Sequence, residues 1–301
     1  HYLRGQSRFR ESEPLLTQAL AIRKQIEHLT GKGQLYTAAS LNGLALLYFD
    51  QYLYREAEPR YTQSLDILQQ ILGSENKETV KTMNRLALTY WYMGNTTKSR
   101  KDKERYYTMA EHIYGTILPI SIKLLGPDDT DVTLLIRNNQ ALLYRSQGKY
   151  EDAIRINKDV GKMRREKLGP DDPTLAQSLQ NLAVTYLDQG HASSYAEAEK
   201  LLEEALAIRI KNWPTQKHAQ VARSYRYLGR AYALRDKDEQ AAQCYEQALR
   251  IWEDILEDPS QIIEVKKEYA ALMRRMKRDK EAAIIEAEIR TAEDQQKESL
   301  Q

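Results

Sequence analysis

The sequence predicts an all-α solenoid, a stack of helix–turn–helix hairpins. Apolar residues recur in paired stripes at helical spacing. Small residues recur at one position of every stripe, and the whole pattern returns with a period near 42 residues. The clearest unit is 174–208. Leu179, Leu182, Ala183 and Tyr186 stand at i, i+3, i+4 and i+7, and Ala198, Leu201, Leu202 and Ala205 repeat that spacing after a polar break at Gly190. One hairpin cannot bury two stripes alone, so it needs neighbours.

The neighbours follow from two columns. First helices carry the pairs Ala45/Tyr48, Ala87/Tyr90, Ala141/Tyr144, Ala183/Tyr186 and Gly229/Tyr232, with a weaker copy at Ala270/Met273. Second helices carry Ser12, Ala57, Ala110, Ala153, Ala198, Ala241 and Ala282. Gly, Ala or Ser at such a crossing lets two helix axes close to about 8–9 Å.

Taken in order, residues 1–28 read as the second helix of a truncated repeat, with Leu3 in the tyrosine column and Phe9 in the column of Tyr54 and Tyr150. Repeats follow at 35–72, 77–125, 130–167, 174–210 and 218–255, and 262–301 forms a degenerate, increasingly charged pair that caps the stack. Pro14 and Pro59 are read as lying near helix starts, where a missing N–H costs nothing. The linkers LGSENKET, LGPDDTDV and LGPDDPT predict helix ends at a left-handed glycine. Asp171, Asp172 and Thr174 are candidate caps for the helix that follows. The second repeat carries an 11-residue insertion around GNTTKSRKDKER, enough for about three further turns at the start of its second helix. In the third repeat Gln140 and Asn157 stand in apolar columns, and they are expected to satisfy one another or nearby backbone.

The composition excludes several classes. A net charge of +2 gives no global attraction to nucleic acid or membrane. RNA binding along groove arginines would need a steep salt dependence that this balance argues against. The single cysteine, Cys244, rules out a disulfide framework and fits a reducing, cytoplasmic setting. It reads as a packing thiol. No apolar run reaches the roughly 18 residues of a membrane span. The five histidines show no metal-ligand spacing, and no P-loop, G-x-S-x-G or G-x-G-x-x-G is present. The expectation is no enzyme activity, no cofactor and no metal.

The first helices hold the binding signal. They line the concave face of such a stack. Three residues before each small residue stand Asn42, Asn84, Asn138, Gln180 and Arg226, and one residue after it stand Leu46, Leu88, Leu142, Val184 and Arg230. An amide ladder beside an aliphatic ladder suits an extended peptide, because amides pair with both peptide N–H and C=O. From Lys211 to Arg235 there are six Lys or Arg residues and no acid, and Arg223, Arg226 and Arg230 share one helix face. The nearest acidic run, 197–204, lies on a second helix, largely away from the groove. Lys81 and Arg85 lie on or beside the corresponding face of the second repeat. Guanidinium groups suit carboxylates, so an acidic peptide partner is expected, held toward the C-terminal half.

SLQNLAVTYLDQG…YAEAEKLLEEALAI with LGPDDPT resembles the 42-residue tetratricopeptide repeats of the kinesin light chain type, over nearly the whole chain. That resemblance implies a right-handed superhelix whose inner groove binds peptide segments of partner proteins through first-helix asparagines. Asn42, Asn84 and Asn138 match that position, while Gln180, Arg226 and Lys267 depart from it. The family's motor-binding heptad coiled coil has no counterpart in this sequence. Related arrays also serve as sensor portions of larger NTPases or proteases, which is the alternative to a stand-alone scaffold.

Overall fold

Thirteen helices account for nearly all of the described chain, and the described residues contain no strand. The computed structural model describes the backbone of residues 2–255 and 259–298 and the side chains of 11–255 and 261–294. The helices are α1 (Tyr2–Thr30), α2 (Gln34–Asp50), α3 (Tyr54–Leu72), α4 (Lys77–Thr96), α5 (Arg100–Leu125), α6 (Thr133–Ser146), α7 (Tyr150–Leu168), α8 (Pro173–Gln189), α9 (Ala192–Asn212), α10 (Ala219–Ala233), α11 (Asp238–Ile255), α12 (Pro259–Arg275) and α13 (Asp279–Glu298). The chain divides into two compact units, one formed by residues 6–156 and one holding residues 157–301. The expected columns at Leu3 and Phe9 lie outside the described side chains.

Within each unit the helices pack as sequential hairpins. The first unit pairs α2 with α3 and α4 with α5; the second pairs α8 with α9, α10 with α11 and α12 with α13. First helices also touch first helices: α4 meets α6, and α10 meets both α8 and α12. The small columns sit at the crossings. Ala45, Ala87, Ala141, Ala183, Ala57, Ala110, Ala153, Ala198, Ala241 and Ala282 are all fully buried. Ser12 on α1 is only half-buried. At Gly229 a Cβ would stand 3.0 Å from the Tyr245 ring and 3.2 Å from the Ala241 carbonyl, which accounts for glycine in that column. Tyr48 and Tyr90 are buried, whereas Tyr144, Tyr186 and Tyr232 are half-buried.

The helix starts are capped as their sequences dictate. The side chain of Asn76 accepts from Glu78 N on α4, and that of Asp172 accepts from Thr174 N on α8 behind Pro173. Asp129 Oδ1 accepts from Val132 N at 2.7 Å and so holds the turn into α6. The insertion of the second repeat is absorbed as helix: α5 begins at Arg100 and runs 26 residues against 19 for α3.

Three expectations are corrected. Gly73 and Gly126 do have positive φ, but their ψ values of 171° and 160° lie outside the left-handed helical region. That combination is open essentially to glycine alone. Pro14 and Pro59 lie inside α1 and α3 rather than in their first turns. An interior proline removes one backbone hydrogen bond; in α3, burial of Tyr54, Ala57, Tyr61, Ser64 and Leu68 carries the helix through it. Gln140 and Asn157 each bond elsewhere: Gln140 donates to the Tyr144 hydroxyl at 3.3 Å and Asn157 to Thr185 Oγ1 at 3.4 Å. Asn157 Oδ1 is buried without a partner among the described residues. Gln140 thus bonds one turn along its own helix, and Asn157 bonds the helix that follows it.

Candidate functional site

In the first unit, α2, α4 and α6 wall one cleft of about 340 Å³. Leu46 and Phe49 come from α2, Lys81, Asn84, Arg85 and Leu88 from α4, and Leu135 and Asn139 from α6; Asp131 and Val132 come from the turn before α6, and Tyr61 closes it from α3. Five residues expected from the sequence, Leu46, Lys81, Asn84, Arg85 and Leu88, therefore share one cavity. Their convergence follows from helix geometry. Lys81, Arg85 and Leu88 stand at i, i+4 and i+7 on α4 and form one stripe.

The cleft has an apolar floor and a charged mouth. Leu46 and Leu135 are 40% and 41% exposed, high for leucine beside a packed core. Arg85 is exposed and has no ion-pair partner among the described residues. It lies near Tyr61, whose hydroxyl is pushed well above the ordinary tyrosine range by burial, against the opposing pull of Arg85. Lys81 is engaged: its Nζ lies 3.5 Å from Glu78 and 3.7 Å from Asp131. Lys77 holds the same Asp131 oxygen at 3.0 Å. Hydrogen bonding to Lys77 keeps the Asp131 carboxyl below the usual carboxylate range.

The amide ladder is placed differently from the expectation. Asn84, Asn138 and Gln180 are buried, at 5%, 6% and 3% exposure. Asn139 Nδ2 donates to Asn84 Oδ1 at 3.1 Å, and Asn42 Nδ2 donates to Thr82 at 2.9 Å. Gln180 Oε1 accepts from Arg209. These bonds tie first helices to their neighbours. Val184 is buried as well, and Leu142 is half-buried. Asn84 alone of the amide column also lines the cleft.

The arginines of α10 correct a second expectation. Arg226 grips Glu268 on α12 through Nε and Nη2, the latter at 2.7 Å, and reaches Glu264 at 3.5 Å. Arg230 pairs with Asp188 on α8 at 2.8 Å. Only Arg223 of that face lacks an acidic partner among the described residues. The neutralising carboxylates come from adjacent first helices, not from the acidic run 197–204 on a second helix.

Two ladders escape a reading of single helices. The glutamate one place after the small residue of a second helix reaches forward: Glu13 accepts from Tyr48 at 2.7 Å, Glu58 from Tyr90 at 2.8 Å, Glu111 from Gln147 and Lys149, and Glu199 from Arg235 and Lys237. Eleven places after the small residue, Arg23, Arg164 and Arg209 each donate to the serine of the first helix that follows (Ser40, Ser178, Ser224) and to the carbonyl four residues before it. Burial pushes the pKa of Arg164 and Arg209 down to about 10. Both columns are visible in the internal repeats, as recurring Glu and as recurring Arg opposite Ser.

Two kinds of reactive group can be judged among the described residues, metal clusters and the thiol. No group of three His, Cys, Asp or Glu residues there could hold a metal. Cys244 is buried, and burial pushes its thiol up to about 12, far from the range of a reactive thiolate. No helix among the described residues is long and apolar enough to cross a membrane.

A family profile for the tetratricopeptide repeat matches residues 36–112, 132–194 and 191–254, more than half the chain. The chain belongs to the tetratricopeptide repeat family. Several solved structures resemble it in fold. The nearly identical repeats of a Podosopora anserina protein described as a putative kinesin light chain share 24% identity over 71% of this chain and 93% of theirs, with a TM-score of 0.54. BtubC (BKLC) from P. vanneervenii shares 20% over 82% of this chain and 92% of its own, with a TM-score of 0.57. A Rap protein solved in complex with Competence and Sporulation Factor shares 13% over 92% of this chain and 80% of its own, with a TM-score of 0.61. No curated protein matches the sequence.

Proposed function

We propose that this chain is a non-catalytic interaction module that takes an extended, acidic peptide segment of a partner protein into the cleft between α2, α4 and α6. Tetratricopeptide repeats generally mediate protein–protein contacts, and the family assignment supports that much directly. The observation that carries the finer reading is Arg85. It is an exposed guanidinium without an acidic partner among the described residues, standing over a wall of Leu46, Leu88 and Leu135. A carboxylate there gains a charge-assisted bond that no internal acid already makes. An apolar neighbour on the peptide fills the floor, and the amide of Asn84 offers the backbone a polar contact. The Rap relative, solved with Competence and Sporulation Factor, supports the reading by analogy of fold.

This moves the acidic preference from the C-terminal half, where Arg226 and Arg230 are internally neutralised, to the first unit. The test is fluorescence anisotropy with a labelled peptide of alternating Glu and Leu and its Lys-for-Glu counterpart. The parent should bind only the acidic peptide, and Arg85→Glu should abolish that binding while circular dichroism stays unchanged. Equal binding of both peptides, or an unaffected Arg85→Glu variant, refutes the reading.

A further inference from the structure

We infer that Asp131 is an internal competitor that sets how many carboxylates the cleft accepts. The inference rests on the peptide-cleft reading above. Lys81 and Arg85 lie one turn apart on α4, so their Cβ atoms are separated by about 5–6 Å. In an extended peptide, side chains two residues apart point the same way at a spacing of about 6.6–7 Å. An acidic-x-acidic segment could thus address both cations at once. In the free protein it finds only Arg85 available. Lys81 Nζ already has Glu78 at 3.5 Å and Asp131 at 3.7 Å, and Asp131 also holds Lys77 Nζ at 3.0 Å; of the two acids Asp131 is the one that lines the cleft.

The placement of Asp131 is built by its surroundings. Two residues before it, Asp129 caps the turn through Val132 N and Thr133 N, and its carbonyl accepts from Leu134 N at 2.9 Å. Immediately after it, Val132 is 2% exposed and anchored in the core. The backbone is therefore held on both sides, which sets the side chain beside the α4 lysines. In the equivalent linker before α8, LGPDDPT, Thr174 stands in the register of Asp131, so that linker carries no acid at this position.

The consequence is selectivity. The first carboxylate of a ligand binds Arg85, while a second meets a lysine whose charge is spent and an aspartate that repels it. Asp131 makes the cleft a one-acid reader. The pairs it forms are solvent-exposed, and exposed pairs are weak; the ligand preference is correspondingly modest and removable.

The experiment compares three peptides of equal length, Glu-x-Glu, Glu-x-Gln and Gln-x-Gln, against the parent, Asp131→Asn and Asp66→Asn by fluorescence anisotropy. Asp66 is an exposed acid on α3, and its variant matches the change in net charge. The parent should bind Glu-x-Glu and Glu-x-Gln alike and Gln-x-Gln weakly. Asp131→Asn should tighten Glu-x-Glu by about three- to tenfold and leave Glu-x-Gln nearly unchanged, with Asp66→Asn doing neither. Binding to the parent with no selective gain in Asp131→Asn overturns the inference and leaves the cleft reading standing. Absence of any difference among the three peptides in every protein overturns both.

Discussion

Replacing Arg209 tests how the second unit is held together. Arg209 is 1% exposed, and no carboxylate among the described residues pairs with it. Its Nη1 donates to Gln180 Oε1, Ser224 Oγ and the Gln220 carbonyl, and its Nη2 donates to Gln177 at 3.2 Å. One side chain on α9 therefore ties α8 to α10. Arg209→Met keeps most of the volume and removes every donor. Gln180 is 3% exposed and cannot turn to water, so its orphaned acceptor costs about 1–3 kcal/mol. Ser224 and the Gln220 carbonyl each lose a charge-assisted bond, while the guanidinium's own desolvation penalty is relieved. The net expectation is a loss of about 2–4 kcal/mol. Arg209→Met/Gln180→Leu removes the orphan and should recover at least about half of that loss, the coupling expected of residues in direct contact. The assay is urea denaturation followed by circular dichroism, with hydrogen exchange of α8 and α10 as the local readout, because stacked repeats need not unfold as one body. An Arg209→Met protein as stable as the parent would refute the reasoning, and so would a double variant less stable than the single one.

Three further outcomes follow from burial. A Cβ on Gly94 would stand 2.5 Å from the Tyr107 ring, so Gly94→Ala should cost about 1–3 kcal/mol and lower the denaturation midpoint; an unchanged midpoint contradicts the contact. Ala183→Leu should overpack the α8 crossing by a similar amount, read in the same way. Tyr114 is fully buried, its hydroxyl has no partner among the described residues, and burial pushes its pKa well above the usual range. A raised folded pKa means that the unfolded state loses its proton first, so this stability is present below about pH 10 and drains away as pH rises through the folded value. Denaturation series at about pH 8 and 11 should show Tyr114→Phe at least as stable as the parent at the lower pH and less weakened at the higher. Parallel losses in both proteins would contradict the assignment.

The fold was legible because two physical constraints write themselves into every repeat. An amphipathic helix needs apolar residues at 3.6-residue spacing, and a close crossing needs Ala, Gly or Ser; Ala45, Ala87, Ala183 and Gly229 satisfy both. The cleft was half legible. Lys81, Arg85, Leu46 and Leu88 stand out because they lie on the helix face away from the hairpin partner. Asn84, Asn138 and Gln180 read as groove residues by the same logic, yet they are buried against neighbouring helices. One residue step turns a helix face by about 100°, so a column adjacent to the groove and a column against the next helix differ by a single position. Which of them is covered depends on a partner helix that no single-helix pattern contains. The same gap hides the neutralisation of Arg226 and Arg230, whose acids Glu268 and Asp188 are remote in sequence.

Methyl-resolved NMR with selectively labelled leucine and valine, recorded while the acidic peptide of alternating Glu and Leu is titrated in, tests whether the α2/α4/α6 cleft is the peptide site. Saturable shifts are expected at Leu46, Leu88, Val132 and Leu135, with unperturbed methyls at Val221 and Leu228 on α10, the helix of Arg226 and Arg230. Shifts confined to α10, with the methyls of the α2/α4/α6 cleft unmoved, would contradict that placement.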